Sequence, residues 1–131
     1  MINKFYIASS FTNIDKVREV SSLLKNKGFI QTYDWTQNER AATLKDLKII
    51  GSKELLAVME ADFLIVLLPA GKGSHIEFGI ALGQGKKIFL FSENHDLDNF
   101  ETTSTFYHLE NVEKISGMTE ELVKRVSLEK E

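Results

Sequence analysis

The amino-acid sequence predicts an α/β fold: a doubly wound, all-parallel sheet of five strands with helices on both faces. Three observations predict it. Short apolar segments alternate with segments of helical periodicity along the whole chain, the order that builds parallel sheets through crossover helices. Phe63–Leu68 (Phe-Leu-Ile-Val-Leu-Leu) is apolar at every position, as suits a strand buried on both faces. The chain's one proline, Pro69, and five of its eight glycines (Gly71, Gly73, Gly79, Gly83, Gly85) fall within 17 residues directly after that strand. The strand order that suits such a chain is the flavodoxin-like 2-1-3-4-5. Its ligand crevice lies at the carboxyl ends of strands 1 and 3, where the winding reverses.

Each element has its own signal. Lys4–Ser9 is a short apolar first strand. Thr12 or Asn13 can cap the next segment, where Val17, Val20, Leu23 and Leu24 fall at helical spacing and Gly28 stops the run. Phe29–Tyr33 is the second strand, followed by the polar loop Asp34-Trp35-Thr36-Gln37-Asn38. Residues 41–60 carry Ala41, Leu44, Leu47, Ile50, Leu55, Leu56 and Met59, interrupted at Gly51-Ser52. This predicts one kinked helix or two short ones, with Ser52 as a second N-cap. After the third strand come a helix over Ser74–Gly83, a strand over Lys87–Ser92 and a polar, irregular stretch over Glu93–Thr105. Val112–Ile115 makes the fifth strand, and Thr119–Leu128 a closing helix with Leu122, Val123 and Val126 inward.

Composition narrows the function classes. The 131 residues suit one domain over 1–131 with a sizeable core. No cysteine is present, so disulfides and thiolate metal sites are excluded. Sixteen Lys+Arg against 19 Asp+Glu give a net charge of −3, which argues against a nucleic-acid or membrane-surface partner. No run of 18 apolar residues occurs, and Met-Ile-Asn-Lys-Phe-Tyr-Ile lacks a signal-peptide layout. The expectation is a soluble cytoplasmic domain. His95 and His108 stand alone and no His/Asp/Glu group has ligand spacing, so no metal and no cofactor is expected.

The predicted crevice holds the chemistry. Pro69-Ala70-Gly71-Lys72-Gly73-Ser74-His75-Ile76-Glu77-Phe78-Gly79 leaves a buried strand, turns through two glycines and opens a helix. Free backbone N–H groups there favour an anionic or electron-rich ligand. The first-strand loop adds Ser9, Ser10, Thr12 and Asn13, and together the loops suit a small polar ligand. Phosphate motifs fail: a dinucleotide fingerprint from Gly71 needs glycine at Ile76, and Gly85-Lys86 is followed by Lys87 instead of Ser or Thr. Glu77 has two readings. Ser74-x-x-Glu77 is a capping box, or Glu77 is a carboxylate nucleophile or base inside a ligand-binding helix end, kept ionised by the helix dipole.

Phe5-Tyr6-Ile7-Ala8-Ser9-Ser10-Phe11, Ala61-Asp62 before an apolar strand, and Gly73-Ser74-His75-Ile76-Glu77-Phe78-Gly79-Ile80-Ala81 followed by Gly85-Lys86-Lys87-Ile88 resemble the nucleoside 2-deoxyribosyltransferase-like superfamily. That superfamily includes nucleoside 5′-monophosphate N-glycosidases, and the resemblance runs from residue 3 to about 92. It implies a homodimer or higher homo-oligomer acting on a small-molecule nucleoside or nucleotide. It also implies that Glu77 attacks C1′ of the sugar, forming a glycosyl-enzyme ester that water or a second base resolves. A fixed carboxylate suits the oxocarbenium-like transition state.

The family's second acid falls eight residues before Asp62, at Glu54, one methylene longer than the usual aspartate. Glu54 is then a second catalytic carboxylate or a solvated helix charge. Asp62, at the amino end of its strand, reads as a turn or capping residue. The implied substrate contacts are Ser9, Ser10, Phe11 and Asn13 of the first loop, Gly71, Gly73, Ser74 and His75 of the second, and Asp34 and Trp35 after strand 2. Trp35 beside an acid suits base stacking or closes a core edge; His75 meets sugar or leaving base, or has no role. Tyr6 reads as core. In relatives a late loop of the neighbouring subunit completes the pocket, a part for Ser104 or Tyr107 here. The competing reading is a non-catalytic nucleotide-binding or sensing module, in which Glu77 caps the helix and touches a ribose hydroxyl.

Overall fold

The computed structural model describes residues 3–130. Five strands form one sheet: β1 (Lys4–Ser9), β2 (Ile30–Gln31), β3 (Phe63–Leu67), β4 (Lys87–Ser92) and β5 (Val112–Ser116). All neighbours are parallel and the order is β2-β1-β3-β4-β5, the flavodoxin-like arrangement. Four helices cover it: α1 (Ile14–Asn26), α2 (Leu44–Glu60), α3 (Lys72–Gly83) and α4 (Thr119–Leu128). Helix α1 packs with α4, and α2 with α3. The core is continuous, and β1, β3 and β4 bring most of its fully buried side chains. No helix among the described residues is long and apolar enough to cross a membrane.

Strands β1 and β4 and helix α4 run over the spans the sequence predicts. Strand β2 is shorter, because the chain leaves the ladder after Thr32, whose N–H and hydroxyl both turn to Phe5 O (2.9 and 3.3 Å). The chain then enters a short 3₁₀ turn, Trp35–Gln37, capped by Asp34. Asp62 closes the start of β1 by accepting from the backbone N–H of Asn3 (3.0 Å) and Lys4 (2.9 Å), the capping role expected of it.

Three helix starts differ from the sequence reading. Asn13 stands at the N-cap of α1 without a side-chain cap bond; Ser10 instead caps a 3₁₀ turn over Phe11–Asn13. Helix α2 runs unbroken through Gly51-Ser52. Its capping box is Thr43 with Asp46, and Ser52, far from being a cap, donates its hydroxyl to Lys48 O one turn back (2.8 Å). Helix α3 begins at Lys72, with Gly71 as N-cap and no side-chain cap. The Ser74–Glu77 capping box is therefore not formed, because both residues already lie inside the helix.

Candidate active site

The earlier start of α3 decides where Glu77 points. Ser74, Glu77, Phe78 and Ala81 are its buried residues, and their i, i+3, i+4, i+7 spacing is one helical face. That face lies on the sheet, so Glu77 is carried into the core and is 8% exposed. Beneath it stands Tyr6, fully buried in the middle of β1. The Tyr6 hydroxyl donates to Glu77 Oε2 at 2.6 Å. Glu54, half-buried on α2, brings a second carboxyl to the same phenol and to Glu77.

Burial dominates the electrostatics of this trio. Desolvation, with the neighbouring charge of Glu54, pushes the Glu77 carboxyl up to about 7, against the pull of the Tyr6 hydroxyl. Burial also raises Glu54, opposed by hydrogen bonds from Tyr6 and Glu77. Tyr6 is held well above the usual phenol range by burial and then by the Glu77 charge, so it stays a neutral donor. Two carboxyls raised together beside one phenol titrate as a pair that favours sharing a proton.

The two loops of the crevice meet at the carboxyl edge as the winding requires. Ser10 N donates to Pro69 O (3.2 Å), and Ser9 Oγ to Leu67 O (2.7 Å). Asn13 Nδ2 in turn donates to Ser9 Oγ (3.0 Å). Ser9 Oγ and the Ser10 N–H thus hold the loops together, while the Ser10 hydroxyl caps the 3₁₀ turn by accepting from Thr12 N–H (3.3 Å). The Leu68-Pro69 peptide is cis. His75 is fixed at both ring nitrogens: Nδ1 donates to Gly71 O (2.9 Å), so Nε2 accepts from the Tyr107 hydroxyl (2.7 Å).

That pair walls a cavity of about 550 Å³, lined also by Asn13, Pro69, Ala70 and Ser92. The cavity is of ligand size, yet Glu77 is not on its lining. Residues 75 and 77 are about 200° apart on a helix, so the carboxyl trio faces α2 and β1 while His75 faces Tyr107. A smaller crevice of about 240 Å³, with Tyr33, Arg40 and Lys53 on its walls, opens along α2, and neither Glu54 nor Glu77 lines it.

Trp35 is not an exposed platform. It is 7% exposed, and its Nε1–H donates to Ile7 O (2.7 Å); an indole with a buried backbone partner is a core residue. The exposed aromatic that rests against it is Phe11, whose ring lies 5.7 Å from that of Trp35 and is 62% exposed. Asp34 is engaged by the N–H and hydroxyl of Thr36 (3.0 and 2.5 Å). Tyr6 is the site residue that the sequence reading left in the core. A tyrosine inside an otherwise apolar strand is its signal, because a buried hydroxyl needs a partner. Tyr107 reaches the crevice from this same chain. Among the described residues no group of three or more His, Asp or Glu gathers to hold a metal ion.

Fold and site together define a doubly wound α/β domain with a buried tyrosine-glutamate pair beside a switch-point crevice. Among solved structures the chain is similar to the Clostridium botulinum CMP N-glycosidase BcmB, with a TM-score of 0.67 and 20% identity over 95% of this chain and 98% of that one. It is also similar to a conserved protein from Enterococcus faecalis V583, with a TM-score of 0.58 and 15% identity over 98% and 99% of the two chains. At these identities the likeness establishes the fold, which is the fold implied by the superfamily resemblance. No protein-family model and no curated protein matches the chain.

Proposed function

We propose that this protein cleaves or transfers the N-glycosidic bond of a nucleoside or nucleotide, with Glu77 as nucleophile. The observation that carries the reading is the buried Glu77 carboxyl, hydrogen-bonded by Tyr6 at 2.6 Å and faced by Glu54. A bare helix cap needs neither partner. The structural likeness to a CMP N-glycosidase supports the same reading.

In this reading the ionised Glu77 attacks C1′ as the bond from C1′ to the base nitrogen breaks. The bonding pair leaves with the base, which takes up a proton from solvent water, and the later attack of water on the ester returns one. The ester between Glu77 and C1′ is then opened by water, which gives the free sugar, or by a second base, which gives a new nucleoside. Tyr6 orients the carboxylate and leaves its second oxygen for C1′. Glu54 takes the proton that Glu77 gives up and accepts from a sugar hydroxyl. Low dielectric around the trio strengthens the attraction between carboxylate and oxocarbenium. Phe11 supplies the exposed face for the base.

One observation favours the sensing reading: Glu77 lines neither the crevice walled by His75 and Tyr107 nor the smaller one along α2. Glu77→Gln separates the two, since it keeps the shape and the Tyr6 contact but removes the nucleophile. The enzyme reading expects the wild type to release base from at least one of a panel of nucleosides and nucleotides, and Glu77→Gln to lose that turnover at an unchanged or higher melting temperature. A glycosyl adduct on Glu77, seen by mass spectrometry, is the direct observation. A wild type that releases no base from any of the panel, while ligands raise its melting temperature, overturns the enzyme reading in favour of the sensor.

A further inference from the structure

The cavity of about 550 Å³ has two unlike walls. One is apolar and aromatic, built from Leu68, Pro69 and Ala70 after β3, from Leu97, and from the rings of His75 and Tyr107. Those two rings lie nearly parallel, 21° apart, with centroids separated by 6.1 Å. Tyr107 also meets Phe78 edge-on at 5.7 Å. Tyr107 and Leu97 are buried, so this wall is in place before any ligand arrives.

The other wall is polar and begins where β4 ends. Ser92 Oγ donates to Asn94 Oδ1 (2.9 Å) and accepts from the Asn94 backbone N–H (3.3 Å). The Asp96 backbone N–H donates to the same Asn94 oxygen (2.9 Å). These bonds bend the chain along the rim and engage both the serine hydroxyl and the amide oxygen. The Asp96 carboxylate is left over, with no partner among the described residues.

Charge on the lining has one sign. Its two formally charged side chains are acids, Glu93 and Asp96. The ammonium nearest to them, that of Lys16, is paired with Glu93. His75 adds no positive charge, because its Nε2 accepts from the Tyr107 hydroxyl. The backbone N–H groups that open α3 would welcome an anion, but Lys72, Gly73 and Ser74 do not line the cavity. An anion placed here meets a bare carboxylate and no cation. A flat cation meets that carboxylate and an aromatic face.

We propose that this cavity is a second ligand site, for a small flat aromatic cation such as a ring that bears an amidinium group. The Asp96 carboxylate accepts two parallel N–H bonds from such an edge, as it would from an arginine. The ring packs against Leu97 and the fixed rings of the aromatic wall. An exposed carboxylate paired with a cation is worth little by itself; the wall supplies the contact area that holds the ring there. The site stands apart from the reaction proposed at Glu77, which does not line the cavity and faces another side of α3. It holds whether or not that reaction occurs.

Three compounds of one shape and different charge test the site: benzamidine, a cation; benzamide, neutral; and benzoate, an anion. Each is titrated into the full chain while the NMR signals of the Asn94 side-chain amide are followed. Benzamidine is expected to shift them and saturate, with a dissociation constant at least about tenfold below that of benzamide. Benzoate is expected to leave them unmoved. Asp96→Asn keeps the shape and the backbone N–H that binds Asn94, and should bring benzamidine down to the affinity of benzamide. Asp98→Asn is the control, because Asp98 turns to Lys114 (3.4 Å) and does not line the cavity; it should leave benzamidine binding unchanged. Benzamidine that shifts nothing up to about 10 mM overturns the proposal. So does binding of the three compounds in any other order of charge, an Asp96→Asn variant that keeps the wild-type affinity, or an equal loss in Asp98→Asn.

Discussion

The Tyr6 hydroxyl and the Glu77 carboxylate, 2.6 Å apart, join strand β1 to the helix that follows the switch point. Each explains the other. A phenol at a fully buried strand position needs an acceptor, and a carboxyl carried into the core by helical spacing needs a donor. Removing the phenol oxygen therefore has two readable consequences. In Tyr6→Phe the Glu77 carboxyl loses the one contact that pulls its pKa down, so the rise of kcat/KM with pH, expected near pH 7 in the wild type, moves to higher pH. Stability drops by about 1–3 kcal/mol, the usual cost of orphaning a buried hydrogen-bond partner. A pH–rate profile and a urea titration check the pair; an unmoved profile means that Tyr6 does not touch the ionising group.

Glu77 also makes the fold pH-sensitive, with a definite sign. Its folded pKa is raised from 4.5 to about 7, so between those values the folded state binds more protons than the unfolded chain. Stability then falls as pH climbs through that window and levels off above it. Glu77→Gln removes the loss. The variant is expected to match the wild type near about pH 4 and to exceed it by up to about 3 kcal/mol near pH 8. Urea midpoints at several pH values measure this, and parallel curves for the two proteins would contradict the burial of the charge.

How much of this was legible in the sequence depended on the range of the interactions. Strand β4 and helix α4 announce themselves through a continuous apolar run and through helical spacing within a single window, and their bounds are those expected. Helix α3 was read two residues short because Gly71 starts it with no side-chain cap, so the first visible capping pattern was the false one at Ser74. That error hid the orientation of Glu77. Its partner Tyr6 lies 71 residues away in the chain, and no local pattern reports such a contact. Trp35 misled for the same reason: its acceptor, Ile7 O, is 28 residues distant. The sequence motif carried the identity of the central residue, and the topology supplied its neighbours.

The exchange of roles between Trp35 and Phe11 is itself testable. Trp35 donates to a backbone carbonyl inside the core, so Trp35→Phe should cost about 1–3 kcal/mol through the orphaned carbonyl and lost packing. Phe11 is open to solvent and rests on Trp35. Phe11→Ala should leave the melting temperature within about 2 °C, since surface changes are usually within ±0.5 kcal/mol. It should weaken binding of a nucleoside by about 1–3 kcal/mol, the worth of a base-aromatic stack. Calorimetric titration of the Glu77→Gln background reads the affinity without turnover. An unchanged affinity in Phe11→Ala removes Phe11 from the site.

Lys86 holds the far ends of the two helices that carry the carboxyls. Its ammonium donates to Met59 O (2.6 Å) and to Ala61 O at the carboxyl end of α2. It stands just after Gly85, whose positive φ of 71° turns the chain out of α3. Burial lowers its pKa, against the charge of Asp62, while the carbonyls and the helix dipole at this end of α2 favour a cation. In Lys86→Met the last turn of α2 loses its cap. Amide exchange at Ala61, whose N–H bonds Ala57 O at 3.0 Å, should speed up before exchange in β3 does, and stability should fall by about 1–2 kcal/mol. A looser α2 also relaxes the hold of Glu54 against Glu77. The Glu77 titration should then move down from about 7, since the repulsion that raises it weakens with distance. Hydrogen-exchange mass spectrometry and the pH dependence of stability in Lys86→Met test both halves. A variant whose α2 terminus exchanges no faster than the wild type would show that the helix end is held by packing alone.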